Sequence, residues 1–152
     1  MAIDKSEIIS DVWTYFKDRL ESEVTTVTLS DSSTQTIKTY SNTIPDKLAN
    51  ARSAYPILIV NSPEISWDEF TLTKKWAMGS ITIDIFTTKH EASDLFADAI
   101  IDAIETYRST LSGLNLINVS LDSTSKDEYF LGQIKIHNKS ITFIWRFAFT
   151  KT

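Results

Sequence analysis

Five carboxylates, Glu91, Asp94, Asp98, Asp102 and Glu105, recur at intervals of three and four residues in one segment of the chain. At about 100° per residue of helix they fall within roughly 80° of one another. Phe96, Ile100, Ala103, Ile104, Tyr107 and Leu111 lie on the opposite side. Such a row suits a solvated helix face, a surface that meets a basic partner or borders a DNA passage, or oxygen ligands for a hard cation. Each like-charge pair at this spacing costs about 0.2–0.5 kcal/mol in an exposed helix. The helix N-terminus stabilises Glu91 and Asp94 but gives little to the other three. One helix face rarely supplies enough converging oxygens for calcium or magnesium, so no metal set is assigned.

The remaining reactive residues form no recognisable centre. His90 and His137 are the two histidines, and neither stands in a motif with a serine nucleophile. Asp84, Lys135 and Arg146 occupy the polar sides of their strands, which suits a cross-strand charge cluster. Asp84, His137 and Arg146 are the residues that a stand-alone ligand-binding or catalytic domain would use. The trio lacks a nucleophile and an oxyanion device. No phosphate loop, dinucleotide fingerprint, HExxH or nucleophile elbow is present. Trp67 and Phe70 differ in kind, because they stand in a polar stretch with no period. Tyr129 and Phe130 have the same character. Aromatic anchors are enriched at protein interfaces, and folding back onto the domain edge is the alternative.

The elements that must position these residues follow from periodicity. Ile8, Ile9, Val12, Trp13, Phe16 and Leu20 mark a helix over Lys5–Glu23, with Ser6 or Asp4 as its cap. Strands are expected at Thr25–Leu29 and Thr36–Tyr40, separated by the polar loop Ser30–Thr36. Pro45 suits the first turn of a short helix around Asp46–Arg52. The apolar run Ile57–Val60, between Pro56 and Pro63, reads as a central strand covered on both faces. Ser62–Lys75 reads as a long loop or arm. Trp76–Thr87 is the longest expected strand, with Ile81, Ile83 and Ile85 on one face and Thr82, Asp84 and Phe86 on the other. The main helix spans Glu91–Leu111, with Gly113 as C-cap. Leu114–Leu121 is a strand, "DSTSKDE" a loop, and Gly132–His137 and Ser140–Thr150 a hairpin turning at Asn138-Lys139. In the last strand Ile141, Phe143, Trp145, Phe147 and Phe149 point one way. The expected fold is one α+β domain over residues 1–152, a mainly antiparallel sheet of five or six strands with two long helices packed on one face.

Composition narrows the function. The chain has 152 residues, enough to bury about 69% of its unfolded surface. Its cysteine count of zero excludes a thiolate nucleophile and cysteine-ligated zinc. No apolar run of about 18 residues implies a membrane span, and the acidic, amphipathic start "MAIDKSEII" is not that of a signal peptide. A net charge of −5 offers no basic stripe for phosphate neutralisation.

The segments "AYPILIVN" (Ala54–Asn61), "GSITIDIFTTKHEASDLFADAIIDAIETYRSTL" (Gly79–Leu111) and "ITFIWRF" (Ile141–Phe147) carry a resemblance. Their order of helix, strands, long strand, helix, strand and hairpin resembles the tail terminator and tail completion proteins of long-tailed phages, which relate to head–tail connector components. The resemblance implies a non-enzymatic virion protein, assembled in the host cytoplasm, that forms a ring, usually a hexamer, at the head-proximal end of the tail tube. Its partners would be further copies of itself, the tail tube protein and the head completion or connector protein; no cofactor is implied. A head-completion or neck protein of the same assembly is the near alternative. In such a ring Trp67 and Phe70 would serve heterologous contacts. Six copies would carry a charge of about −30 (6 × −5), so DNA would pass without adhering.

Overall fold

β-Branched residues in strict alternation make the strands, and apolar stripes of period 3.6 make the helices that cover them. The computed structural model describes residues 8–41, 55–69, 74–113 and 116–150. In chain order these form helix α1 (Ile8–Glu23), strands β1 (Thr26–Thr28), β2 (Thr34–Thr36), β3 (Lys38–Ser41), β4 (Ile57–Val60), β5 (Glu64–Glu69) and β6 (Lys74–Thr87). Helices α2 (His90–Thr106) and α3 (Arg108–Gly113) and strands β7 (Leu116–Leu131) and β8 (Ile134–Thr150) follow. The expected cap at Ser6 or Asp4 and the short helix at Asp46–Arg52 lie outside the described residues.

The architecture is the expected α+β one. A six-stranded sheet runs β3-β4-β6-β8-β7, and β5 joins β6 on the same edge that β4 uses. Among the described strands only the β3–β4 pair is parallel. Strands β1 and β2 form a separate two-stranded ribbon. One face of the sheet carries the helices. Val12, Phe16 and Leu20 of α1 and Phe96, Ile100 and Ile104 of α2 bury against Ile81, Ile83, Ile85, Ile141, Phe143 and Trp145. The Phe16 ring sits 6.2 Å from that of Phe143 and 6.3 Å from that of Trp145. Trp13 donates its indole N–H to the Val60 carbonyl at 2.9 Å and so fixes α1 over β4.

Beneath Trp145 the sheet is thin. A Cβ on Gly79 would fall 2.6 Å from Trp145 Cε2, and closer still to Cζ2. Only glycine lets the indole lie down on β6 there.

The opposite, open face has three zones. At one end Tyr55, Ile57, Ile59 and Ile136 form a second, smaller apolar cluster, joined by Tyr40, Phe86, Tyr129, Leu131 and Ile134. In the middle, Asp84 accepts hydrogen bonds from Ser140 and from Asn61 Nδ2, the latter at 2.7 Å, and the Thr82 and Thr142 hydroxyls meet at 3.0 Å. The other end is a shallow groove.

Four expectations about the strands and the main helix are corrected. The last hairpin turns at Gly132-Gln133, not at Asn138-Lys139, because Leu131 pairs with Ile134 and Gly132 has a φ of +63°. Glycine first in a two-residue loop is the type II′ pattern. Asn138 and Lys139 lie inside β8, opposite Phe86 and Ile85, which makes β8 longer than β6. "DSTSKDE" is strand, paired across to Thr142–His137. Residues 64–69 of the expected loop form β5, hairpinned onto β6. The main helix breaks at Tyr107, whose hydroxyl donates to Glu23 at 3.0 Å while the Arg19 guanidinium stacks 3.9 Å from its ring centre. That anchor on α1 interrupts the helical course.

Candidate functional site

The acidic row is held in two different ways. Glu91 accepts hydrogen bonds from the Ser30 backbone N–H at 2.7 Å and from the Ser30 hydroxyl at 3.0 Å, pinning the β1–β2 ribbon to the start of α2. Asp94 accepts from Lys139 Nζ at 2.8 Å and lies 3.6 Å from His90 Nδ1. The Lys139 hydrogen bond holds the Asp94 carboxyl below the ordinary carboxylate range, and the charges of Lys139, His90 and Lys126 add to this. Glu105 pairs with Arg108 at 3.1 Å. Asp98 and Asp102 are exposed and have no hydrogen-bond or ion-pair partner among the described residues. Two of the five carboxylates are therefore open to a partner.

Register brings the two histidines together, which their positions in the chain conceal. His137 faces Thr87, the last residue of β6, and His90 opens α2 three residues later. Their rings meet edge to face at 5.7 Å. His137 Nδ1 is 3.2 Å from Glu128 Oε1, and Lys135 Nζ is 3.2 Å from Glu128 Oε2. The Lys135 hydrogen bond draws the Glu128 carboxyl below its usual range. No group of three or more histidine or carboxylate side chains is arranged to hold a metal among the described residues. The result is an ion-pair network that ties the β7–β8 hairpin to α2.

Asp84, Lys135 and Arg146 do not cluster. Asp84 pairs with Ser140 on the open face, and Arg146 lies six residues further along β8 on that face. At about 3.3 Å per residue this separates them by roughly 20 Å. Lys135 and His137 belong to the opposite face. The charge cluster is a correction, and the Asp84–His137–Arg146 trio is not brought together either. The reason is alternation: an odd and an even position of one strand cannot share a face.

The aromatic candidates divide similarly. Trp67 lies in β5, its backbone opposite Ala77, and its side chain lies outside the described set, as does Phe70 altogether. Tyr129 folds back into the smaller apolar cluster, where burial raises its hydroxyl pKa. Phe130 does the opposite. It is 67% exposed, the most exposed large apolar side chain among the described residues. It pairs with Lys135 beyond the Thr87–His137 end of β6, so its face of the hairpin extends past the sheet's central strand.

A groove of about 570 Å³ crosses the open face at the far end of the sheet. Its floor is two rungs of the ladder: Glu64–Ser80–Ile144–Ser120 and Ser66–Met78–Arg146. The short serines make the depression, while Met78 (39% exposed) and Ile144 (40% exposed) leave apolar surface within it. A bulge at Asn118, whose φ is +55°, shapes one wall by adding a residue between Ile117 and Ser120. It also interrupts the two-residue period along β7, so that Val119 is buried and Leu121 exposed. The sequence signal for this groove was Ile144, an apolar residue in the otherwise polar row Thr142, Arg146. No protein-family model matches the chain, and no curated protein matches it.

Proposed function

We propose that this protein is a non-enzymatic, ring-forming subunit of a phage virion, of the tail terminator type, that closes the head-proximal end of the tail tube and presents a surface to the head connector. The observation that carries this reading is the β7–β8 hairpin, which extends past β6 with Phe130 exposed. A two-stranded overhang with an exposed aromatic near its tip suits protein association, and an overhang at one end of the molecule suits the head-to-tail contacts of a ring. The α+β order of elements and the net charge of −5 are in keeping with a ring that lets DNA pass. The open carboxylates Asp98 and Asp102 are the residues that would face a channel or a basic partner.

The test is assembly. Light scattering and negative-stain imaging of the chain, alone and with a phage tail tube protein, are expected to give closed rings or capped tube ends. Compact monomers under both conditions, at high concentration, would overturn the reading.

A further inference from the structure

Resting on the ring reading, we infer that Phe130 of one copy seats in the Met78–Ile144 groove of the next copy. The two features are separated within each chain. Lys135, the partner of Phe130, is nine residues from Ile144 along the same strand, a span of about 30 Å. Phe130 and Lys135 stand on the helix-side face, whereas Met78, Ile144 and Arg146 line the open face. A chain cannot fill its own groove. A knob and a hole at opposite ends and on opposite faces make the heterologous contact that propagates around a ring, not the self-complementary contact of a two-fold dimer.

The occupant is a second copy because each patch carries an exposed apolar centre with one charge of each sign beside it. Phe130 is flanked by Lys135 and Glu128, one of each sign. The groove is flanked by Glu64 and Arg146, again one of each sign. With the ring of Phe130 between Met78 and Ile144, the Lys135–Glu128 pair comes to a rim that carries Glu64 and Arg146. Exposed pairs of this kind set register and exclude wrong orientations rather than supply affinity. The apolar anchor supplies the affinity.

The absence of native cysteine makes the test clean. Phe130→Cys and Ile144→Cys proteins are mixed and mildly oxidised. A covalent dimer in the mixture, and none from either variant alone, is expected. Dimers from Phe130→Cys alone would overturn the inference. Rings seen by imaging without a cross-link in the mixture would overturn the groove contact and leave the ring standing. Monomers by light scattering would overturn both. A second arm needs no cross-link. Phe130→Ala and Ile144→Glu are each expected to raise the concentration for half-assembly by about tenfold or more, with unchanged far-UV circular dichroism. Mixed together they are expected to stop at heterodimers, each holding one intact patch. Full rings from the mixture, or assembly by Phe130→Ala at the parent concentration, would refute the contact.

Discussion

The two faces of the large sheet are built from the same strands, residue by residue in alternation, yet they do different work. On the helix side, odd-numbered positions of β6 and β8 (Ile81, Ile83, Ile141, Phe143) form one continuous apolar layer under α1 and α2. On the open side, the even-numbered positions between them run from an apolar cluster through a hydrogen-bonded polar belt to a groove that keeps apolar surface in water. One face spends its hydrophobic residues on folding; the other leaves some for a partner.

The largest effect should separate the faces outright. Phe16→Ala removes a fully buried ring in contact with two aromatic neighbours and is expected to lower unfolding free energy by about 3–5 kcal/mol in denaturant titration. Ile57→Ala, in the smaller cluster of the open face, should cost about 2 kcal/mol, the low end for such truncations. Equal losses would erase the distinction between a main and a satellite core. Gly79→Ala probes the wall between the faces. The new methyl would meet the Trp145 indole, so a loss of about 1–3 kcal/mol from overpacking is expected, with a shift in tryptophan fluorescence. A neutral result would mean that the indole lies elsewhere.

The smallest effects concern the ties between α2 and the hairpin. Lys139→Met should cost about 0.2–1 kcal/mol at neutral pH, since Asp94 is half exposed. Asp94 and Glu128 are held below their ordinary ranges, so their contribution is complete above pH of about 4.5 and fades as pH falls through the folded-state values. Lys139→Met and the parent should therefore converge in acid, and a constant gap from pH 7 to 3 would show that the ion pair is not the source. Asp98→Asn with Asp102→Asn, by contrast, should leave stability unchanged or slightly raised, because like charges are removed.

The helix-side face was legible from the sequence because burial imposes a period. Ile8, Val12, Phe16 and Leu20, or Ile81, Ile83 and Ile85, announce both their element and their facing. The hairpin arm was not. Residues 121–128 are exposed, so no alternation marks them as strand, and their polar composition reads as a loop. Asn138-Lys139 has the composition of a turn, but Lys139 is taken by Asp94 and its backbone by Ile85. The true turn depends on Gly132 alone. For the candidate surfaces, Phe130 was legible as an aromatic in polar surroundings. The histidine pair and the groove were not, since both arise from register between β6 and β8, which no single strand encodes.

Strand β8 carries one more consequence. It holds the partner of Phe130 near its start and the floor of the groove near its end, so in the proposed ring it acts as a ruler. Its residue count sets how far each copy reaches to the next, and with that the circumference. Lengthening both strands of the hairpin by two residues would keep every face and extend the reach by about 7 Å. Lengthening them by one would turn Phe130 to the other side. Ring size, on this view, is written in the parity and length of a single strand.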